Sequence, residues 1–198
     1  MSVQTDQQTD AGRSSGNISN NNKFLTFCLG EEEYGVEILC VREIIGITNI
    51  TPLPQTPPHV KGIINLRGKI IPVIELRAKF GMDTLAFTDE TCIIVVEVMQ
   101  KGAEESFQTG VIVDSVREVM DIDSAQIEPS PRFGGNLNTE YIMGMGKAKD
   151  RVIILLDINR VLTLEEIGHL NEATAGLTPG NHLADNKETE NSADSVAA

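Results

Sequence analysis

The side chains able to do chemistry in this sequence are mostly carboxylates, and they are dispersed. Glu43, Glu75, Glu97, Asp114, Glu118 and Asp157 each fall at or near the end of an apolar run. Glycoside hydrolysis needs two such acids facing one bond, whereas single acids at strand ends are by default solvated or ion-paired. No histidine completes a nucleophilic set. His59 follows two prolines, where a solvent-exposed turn residue is the simplest reading, and His169 and His182 lie in or near an acidic tail. Cys28, Cys40 and Cys92 stand singly in apolar contexts without a CxxC pair, which reads as buried reduced thiols rather than a redox or zinc site. There is no GxSxG elbow. GIINLRG, Gly62 to Gly68, has its glycines six apart but lacks the Lys-Ser/Thr of a phosphate loop and runs from strand to strand. No acids alternate around a glycine as calcium would require. These residue types point to a binding module that uses neither cofactor nor metal.

The elements that must position these residues are mostly strands. KFLTFCLG alternates apolar residues up to a glycine and EEYGVEI restarts, which predicts a hairpin. GIINLRGKIIPVIEL is two apolar runs broken at Arg67-Gly68, a tight turn in which glycine supplies positive φ. TCIIVVEVM pairs with FQTGVIVDSV, and YIMGMGKAKDRVIILLDI makes a last hairpin. ITPLPQTPPHV and IEPSPRFGGNLN carry prolines that favour extended loops. Helical spacing is confined to ILCVREII, for two turns, and to TLEEIGHL, where Thr163 and Glu166 have capping-box spacing.

At 198 residues and 40% hydrophobic content the chain can bury a core. Its apolar runs, such as Ile70 to Ile74, fall far short of the roughly 18 residues of a membrane helix. Residues 1–22 are polar and are expected to be disordered, as is the chain from about Asn171 to Ala198. The start lacks the basic and apolar segments of a secretory signal, so a cytoplasmic location is expected. A net charge of −13 disfavours nucleic acid. Residues 165–198 carry −6 of it and residues 23–164 another −6, a mildly acidic, mixed surface suited to a protein partner.

The chain also repeats itself. At an offset of 75, Gly35-Val36 falls on Gly110-Val111, Val41-Arg42-Glu43 on Val116-Arg117-Glu118, and Ile47 on Ile122. With small shifts, Ile50-x-Pro52-x-Pro54 matches Ile127-x-Pro129-x-Pro131, and KIIPVIEL matches RVIILLDI. The matches keep their order, which favours two similar units at about 24–86 and 87–162, each with about five strands. Units so small need a shared interface, and small antiparallel units avoid exposed edges by curling into barrels. The expected architecture is all-β, two small barrels meeting at a groove.

The stretches FLTFCLGEEEYGVEILCVREI, TPPHVKGIINLRGKIIPVIELRAKFG, GVIVDSVREVM and TEYIMGMGKAKDRVIILLDINRVL together resemble CheW-type chemotaxis coupling proteins over about Phe24 to Leu164. The resemblance implies a CheW-like domain over 23–164 made of two five-stranded SH3-like barrels, flanked by a disordered 1–22 and by a short helix and acidic tail at 165–198. It implies a non-enzymatic scaffold that couples methyl-accepting chemoreceptor tips to the regulatory domain of the histidine kinase CheA, without inserting into the membrane. The implied receptor groove is lined by Val41, Glu43 and Ile44, by Asn65, Arg67 and Gly68, and by Val116 and Val119. Phe133, set between prolines and a Gly-Gly pair, is the implied kinase contact. Two departures from the family are the long hairpin at QKGAEESFQT and the extended tails. Two other readings are a paralogous adaptor of another motility or sensory array and a small-ligand or enzymatic double barrel.

Overall fold

A computed structural model describes residues 23–99, 106–129, 140–148, 151–161 and Glu166. The four hairpins expected from apolar alternation are present. β1 (Lys23–Leu29) pairs with β2 (Glu32–Glu37), and β4 (Val60–Leu66) with β5 (Lys69–Glu75). β6 (Cys92–Met99) pairs with β7 (Ser106–Val113), and β10 (Ile142–Ala148) with β11 (Arg151–Leu156). Two further strands, β3 (Val41–Gly46) and β8 (Ser115–Asp121), carry the repeated Val-Arg-Glu. β9 is the dipeptide Ile127–Glu128. The helices are short: α1 (Leu76–Lys79) and α2 (Ile158–Val161). Among the described residues no helix is long and apolar enough to cross a membrane.

The helix expected over ILCVREII is not there. Ile38–Cys40 make one 3-10 turn and Val41–Gly46 continue as strand. Val41, Ile44 and Ile45 also fit a half-buried strand once a bulge intervenes, and the residues of β3 pair along β6 with a register shift between Val41 and Glu43. Short apolar runs carry this ambiguity, and tertiary pairing settled it. The end of TLEEIGHL reaches the described residues only at Glu166, which is helical.

The sheets are all-β as expected, but the chain is not divided between them at residue 86. One sheet has the order β8-β1-β2-β11-β10-β9 and the other β3-β6-β7-β5-β4. Replacing each strand of the second order by its repeat equivalent (β3 by β8, β6 by β1, β7 by β2, β5 by β11, β4 by β10) yields the first five strands of the other. The repeat is therefore real and interlaced. The five-stranded sheet takes three strands from the first half and two from the second, and the six-stranded sheet takes two from the first and four from the second, so each half leaves its sheet just before its Val-Arg-Glu strand. The sixth strand, β9, adds two residues to the edge beside β10.

The interlacing explains the repeated Gly-Val. β2 runs parallel to β11 with Gly35 beside Leu155, and β7 runs parallel to β5 with Gly110 beside Val73. A Cβ on Gly35 would lie 3.0 Å from Leu155 Cδ2, and one on Gly110 would lie 2.7 Å from Ile93 Cγ2. At Gly35 the apolar side chains that close over bare backbone come from the joining strand β11, whereas at Gly110 they come both from the hairpin partner β6 (Ile93) and from the joining strand β5, whose Val73 Cγ2 would lie 3.3 Å away. Gly110→Ala is expected to cost about 1–3 kcal/mol by overpacking, more than Gly35→Ala, and the two urea midpoints test the ranking.

The central strands are apolar on both faces because each face meets a core. On β6, Ile94 and Val96 join Leu25, Phe27 and Val111 in a core shared by the two sheets. Ile93 and Val95 join Ile64, Ile71 and Val73 in a core belonging to the five-stranded sheet alone. Phe24, Ile153 and Leu155 centre the equivalent core of the six-stranded sheet. The five-stranded sheet also closes on itself. After β3 the chain crosses to the opposite outer strand, where Thr51 and Ile63 exchange two backbone hydrogen bonds of 2.9 Å, the curled geometry expected of a small barrel.

At the junction of β7 and β8, Asp114 ties the sheets together. Its carboxylate accepts from Arg77 Nε (2.8 and 3.0 Å) and Arg77 Nη2 (2.7 Å), and from the Gly30 backbone amide at 2.7 Å. Arg77 Nη1 donates to the Asp83 carbonyl at 2.9 Å. One ion pair thus joins α1, the β1–β2 turn and the crossing point of the two sheets.

Candidate partner-binding groove

β3 and β8 are outer strands of their sheets, so each has one unpaired side. Cross-strand partners share a face. Ile44 lies opposite Ile94, and Val119 and Val116 lie opposite Leu25 and Phe27. All of these partners belong to the shared core, yet Ile44 is 45% and Val119 49% exposed. The two side chains stand on the core-facing side of their strands, at its open margin. Val116 and Val119 are three residues apart and share a face because the β1–β8 register shifts between Leu25 and Phe27. Val41 and Val116 are half-buried against the same core. The Val116 backbone amide acts on the Cys92 thiol, lowering its pKa against the effect of burial, and Cys92 sits opposite Gly46 at the end of β3, which ties the two edge strands to one place.

The polar residues of the implied site lie on the other side of β3. Glu43 is opposite Val95, in the core of the five-stranded sheet. Arg67 and Gly68 form a two-residue turn with φ of 53° and 86°, values of a type I′ hairpin turn. Asn65 Oδ1 accepts the Gly68 amide at 2.8 Å and braces it. The turn was legible from glycine; the positive φ of Arg67 was not. It directs a fork of two hydrogen bonds to Glu43, Nη1 to Oε1 at 3.2 Å and Nη2 to Oε2 at 2.8 Å, while Arg67 itself is 78% exposed. Because β3 and β4 are opposite edges of the sheet, this pair spans the seam where the barrel closes.

Repetition extends to this pair. Glu118, the equivalent of Glu43, accepts from Arg151 Nη2 at 3.0 Å, and Arg151 stands at the start of the equivalent hairpin strand β11. The two arginines of the repeated triplets point elsewhere, Arg42 to Glu97 and Arg117 Nε to Cys28 Sγ at 3.2 Å. In both sheets the triplet has one construction: valine on the shared core, arginine outward, glutamate to a basic residue at a hairpin.

The structure therefore brings Val41, Ile44, Val116 and Val119 to the margin of one core, and Glu43, Asn65, Arg67 and Gly68 to a barrel seam. Strand β3 carries members of both groups on opposite faces, so a partner touching both straddles its edge. Phe133 lies outside the described residues, as do residues 100–105 of the long hairpin.

Two readings of single residues need correction. His59 is not a solvent-exposed turn residue: its side chain is 14% exposed, with Nε2 2.6 Å from Glu166 Oε1, and burial lowers its pKa. Lys79 Nζ donates to both oxygens of Glu166 at 2.6 and 2.7 Å. A sequence separation of over a hundred residues hid that partner. Arg77 and Asp114 were also missed as a pair, since neither residue's neighbours in sequence mention the other. The cysteines are half-buried, and burial pushes the Cys40 and Cys92 thiols up, away from the thiolate form.

A family model described as a CheW-like domain matches residues 23–166. The chain belongs to the CheW-like family. It is 41% identical to "Chemotaxis protein CheW" of Klebsiella aerogenes over 145 residues, 73% of this chain and 84% of that protein. It is 32% identical to the protein of the same description from Rhizobium meliloti over 144 residues, 73% of this chain and 89% of the other. Among solved structures, the scaffolding protein TtCheW from Thermoanaerobacter tengcongensis matches with a TM-score of 0.65 at 38% identity, covering 74% of this chain and 95% of that one. This CheW-like chain is accordingly a chemotaxis adaptor, of a scaffold family.

Proposed function

We propose that the chain acts in the cytoplasm as a non-catalytic coupler, holding methyl-accepting chemoreceptor tips and the regulatory domain of the histidine kinase CheA together. The observation that carries this reading is the pair Ile44 and Val119, large apolar side chains left half-exposed on the core-facing sides of two edge strands. An amphipathic helix, such as those of a receptor's helical hairpin, buries its apolar stripe in such a margin. Arg67, held out at the seam, supplies a charged fork for carboxylates or helix-terminal carbonyls of the same partner. Coupling needs only that receptor states bias the relative positions of bound proteins. The kinase contact assigned to Phe133 rests on the family resemblance.

The test is a pull-down of the purified full chain with a CheA regulatory domain and, separately, with a chemoreceptor cytoplasmic fragment. Arg67→Glu is expected to weaken the receptor arm by about tenfold or more, a loss of roughly 1.4 kcal/mol, with the kinase arm unchanged. Its ion pair is exposed on the arginine side, so removal costs the fold under about 1 kcal/mol. Unaltered receptor binding by the folded variant would remove Arg67 from the groove, and unaltered binding by Ile44→Asp as well would discard the groove.

A further inference from the structure

We propose that Glu166, held jointly by His59 and Lys79, is a pH-sensitive latch that fastens the helical turn at Glu166 to the corner between β4 and α1, closed while His59 is neutral and loosened when its ring gains a proton. Two basic groups meet one carboxylate there. Lys79 Nζ lies 2.6 Å from Glu166 Oε1 and 2.7 Å from Oε2, and His59 Nε2 lies 2.6 Å from the same Oε1. All three side chains are only 13–15% exposed, so the cluster is largely withdrawn from water. His59 leads into β4 and Lys79 ends α1, whereas Glu166 comes after α2 and is the last residue described. The contact therefore joins segments about a hundred residues apart in sequence, and an acidic stretch of sequence follows it.

Counting charges gives the latch its direction. With a neutral ring the cluster holds one cation and one anion. A proton on His59 adds a second cation to a carboxylate that Lys79 already neutralises, and adds it out of water, where an uncompensated charge is costly. The backbone of His59 is fixed, because the Pro57 carbonyl accepts the Val60 amide at 2.9 Å and the His59 carbonyl accepts the Glu75 amide at 2.8 Å. His59 thus stays with the barrel when the contact opens. The other charges on neighbouring elements are engaged elsewhere, Glu75 with Lys61 Nζ at 3.0 Å and Arg77 with Asp114, and those acting on the ring are Glu166 and Lys79. Burial lowers the His59 pKa, Glu166 opposes the change and Lys79 reinforces it. A released ring has the ordinary value of about 6.5, so the latched state binds fewer protons than the released one. The latch is fully stable above about pH 6.5 and weakens as pH falls from there towards the latched-state value. It uses none of the side chains assigned to receptor binding, so it stands or falls independently of that reading.

NMR titration of the full chain between about pH 5 and pH 7.5, the range in which histidine changes charge, tests it. The His59 ring signal, assigned by its loss in His59→Gln, is expected to titrate with a midpoint below about 6.5. The Glu166 amide is expected to lose order over the same interval, the ratio of released to latched chain rising by at most about tenfold per pH unit, the limit for one proton. In His59→Gln that pH response is expected to vanish. Lys79→Met removes the competing cation, so its His59 midpoint is expected to rise above that of the native sequence and acid should now tighten the Glu166 contact. Dispersion of the strand amides reports whether each variant is folded, and the native chain with His59→Gln carries the test should Lys79→Met unfold. A native midpoint at or above about 6.5, a Glu166 amide equally ordered throughout, or an unchanged pH response in His59→Gln would each overturn the proposal, as would a folded Lys79→Met whose midpoint does not move.

Discussion

Replacing Gly62 by alanine is expected to cost about 4 kcal/mol of folding stability, a severe loss for one added methyl group. A Cβ at Gly62 would lie 2.0 Å from the Thr51 carbonyl oxygen and 2.7 Å from its carbon. Those atoms are backbone and cannot rotate aside. The same oxygen accepts the Ile63 amide at 2.9 Å, so the methyl drives apart the two backbone segments whose pairing closes the barrel. Gly62 also sits at φ 139°, where an L-residue is strained by about 1–3 kcal/mol, and the forced displacement adds about 1–3 kcal/mol. Against a total stability of roughly 5–15 kcal/mol, this should lower the melting temperature by about 10 °C or more. Gly68→Ala is the matched control: φ is 86° but a Cβ there meets nothing within 4 Å, so only about 1 kcal/mol of conformational strain is expected. Thermal and urea unfolding of both variants decides the point. Equal losses would mean that left-handed geometry alone, and not the Thr51 closure, demands glycine at position 62.

Asp114→Ala is expected to destabilise the fold by about 3 kcal/mol. Arg77 has a side chain 10% exposed, and removing its partner leaves a buried guanidinium with the Asp83 carbonyl as its remaining acceptor, the circumstance in which a broken buried pair costs about 3–5 kcal/mol. The Gly30 amide loses its acceptor too. The guanidinium's hydrogen bonds hold the Asp114 pKa below the usual carboxylate range, although partial burial opposes them. A depressed folded-state pKa means that the contribution is fully present above the unfolded value of about 3.9 and is lost as pH falls through the folded value. Stability of the native sequence should therefore fall more steeply below about pH 4 than that of Asp114→Asn. Parallel curves of urea midpoint against pH for the two proteins would show that the pair contributes nothing through its charge. Replacing both partners by apolar residues is expected to recover much of the loss, because the cost lies in the orphaned charge.

Local patterns were legible where neighbours in sequence are neighbours in space. The four hairpins follow from apolar alternation and from glycine at the turns, since a hairpin's partners are a few residues apart. The family was legible because NLRG, the Val-Arg-Glu segments and the strands KIIPVIEL and RVIILLDI keep their order. The division of the chain was not legible. Repeat matches locate equivalent strands without saying which sheet each one joins, and here β3 and β8 cross over. The helical spacing of ILCVREII misled for a related reason, since a bulged edge strand and a short helix place apolar residues alike. At the site, the valines and Ile44 could be proposed from the repeat. That their exposed faces belong to the margin of a shared core depended on cross-strand partners from another part of the chain.

By itself the sequence determined the all-β class, the number and order of the hairpins, the twofold repetition and the CheW-like membership, because alternation, turn chemistry and ordered motifs are properties of short stretches. Tertiary structure decided everything that depends on pairing at a distance. It interlaced the halves, put Gly35 under side chains of a joining strand and Gly110 between Ile93 and Val73 of its two neighbouring strands, matched Arg77 with Asp114 and His59 with Glu166, and turned Glu43 and Arg67 into a seam. It also separated the apolar from the polar half of the groove. The physical reason is that an ion pair, a close backbone approach or an exposed edge is set by which strand lies alongside, and strand partners in this fold come from both halves of the chain.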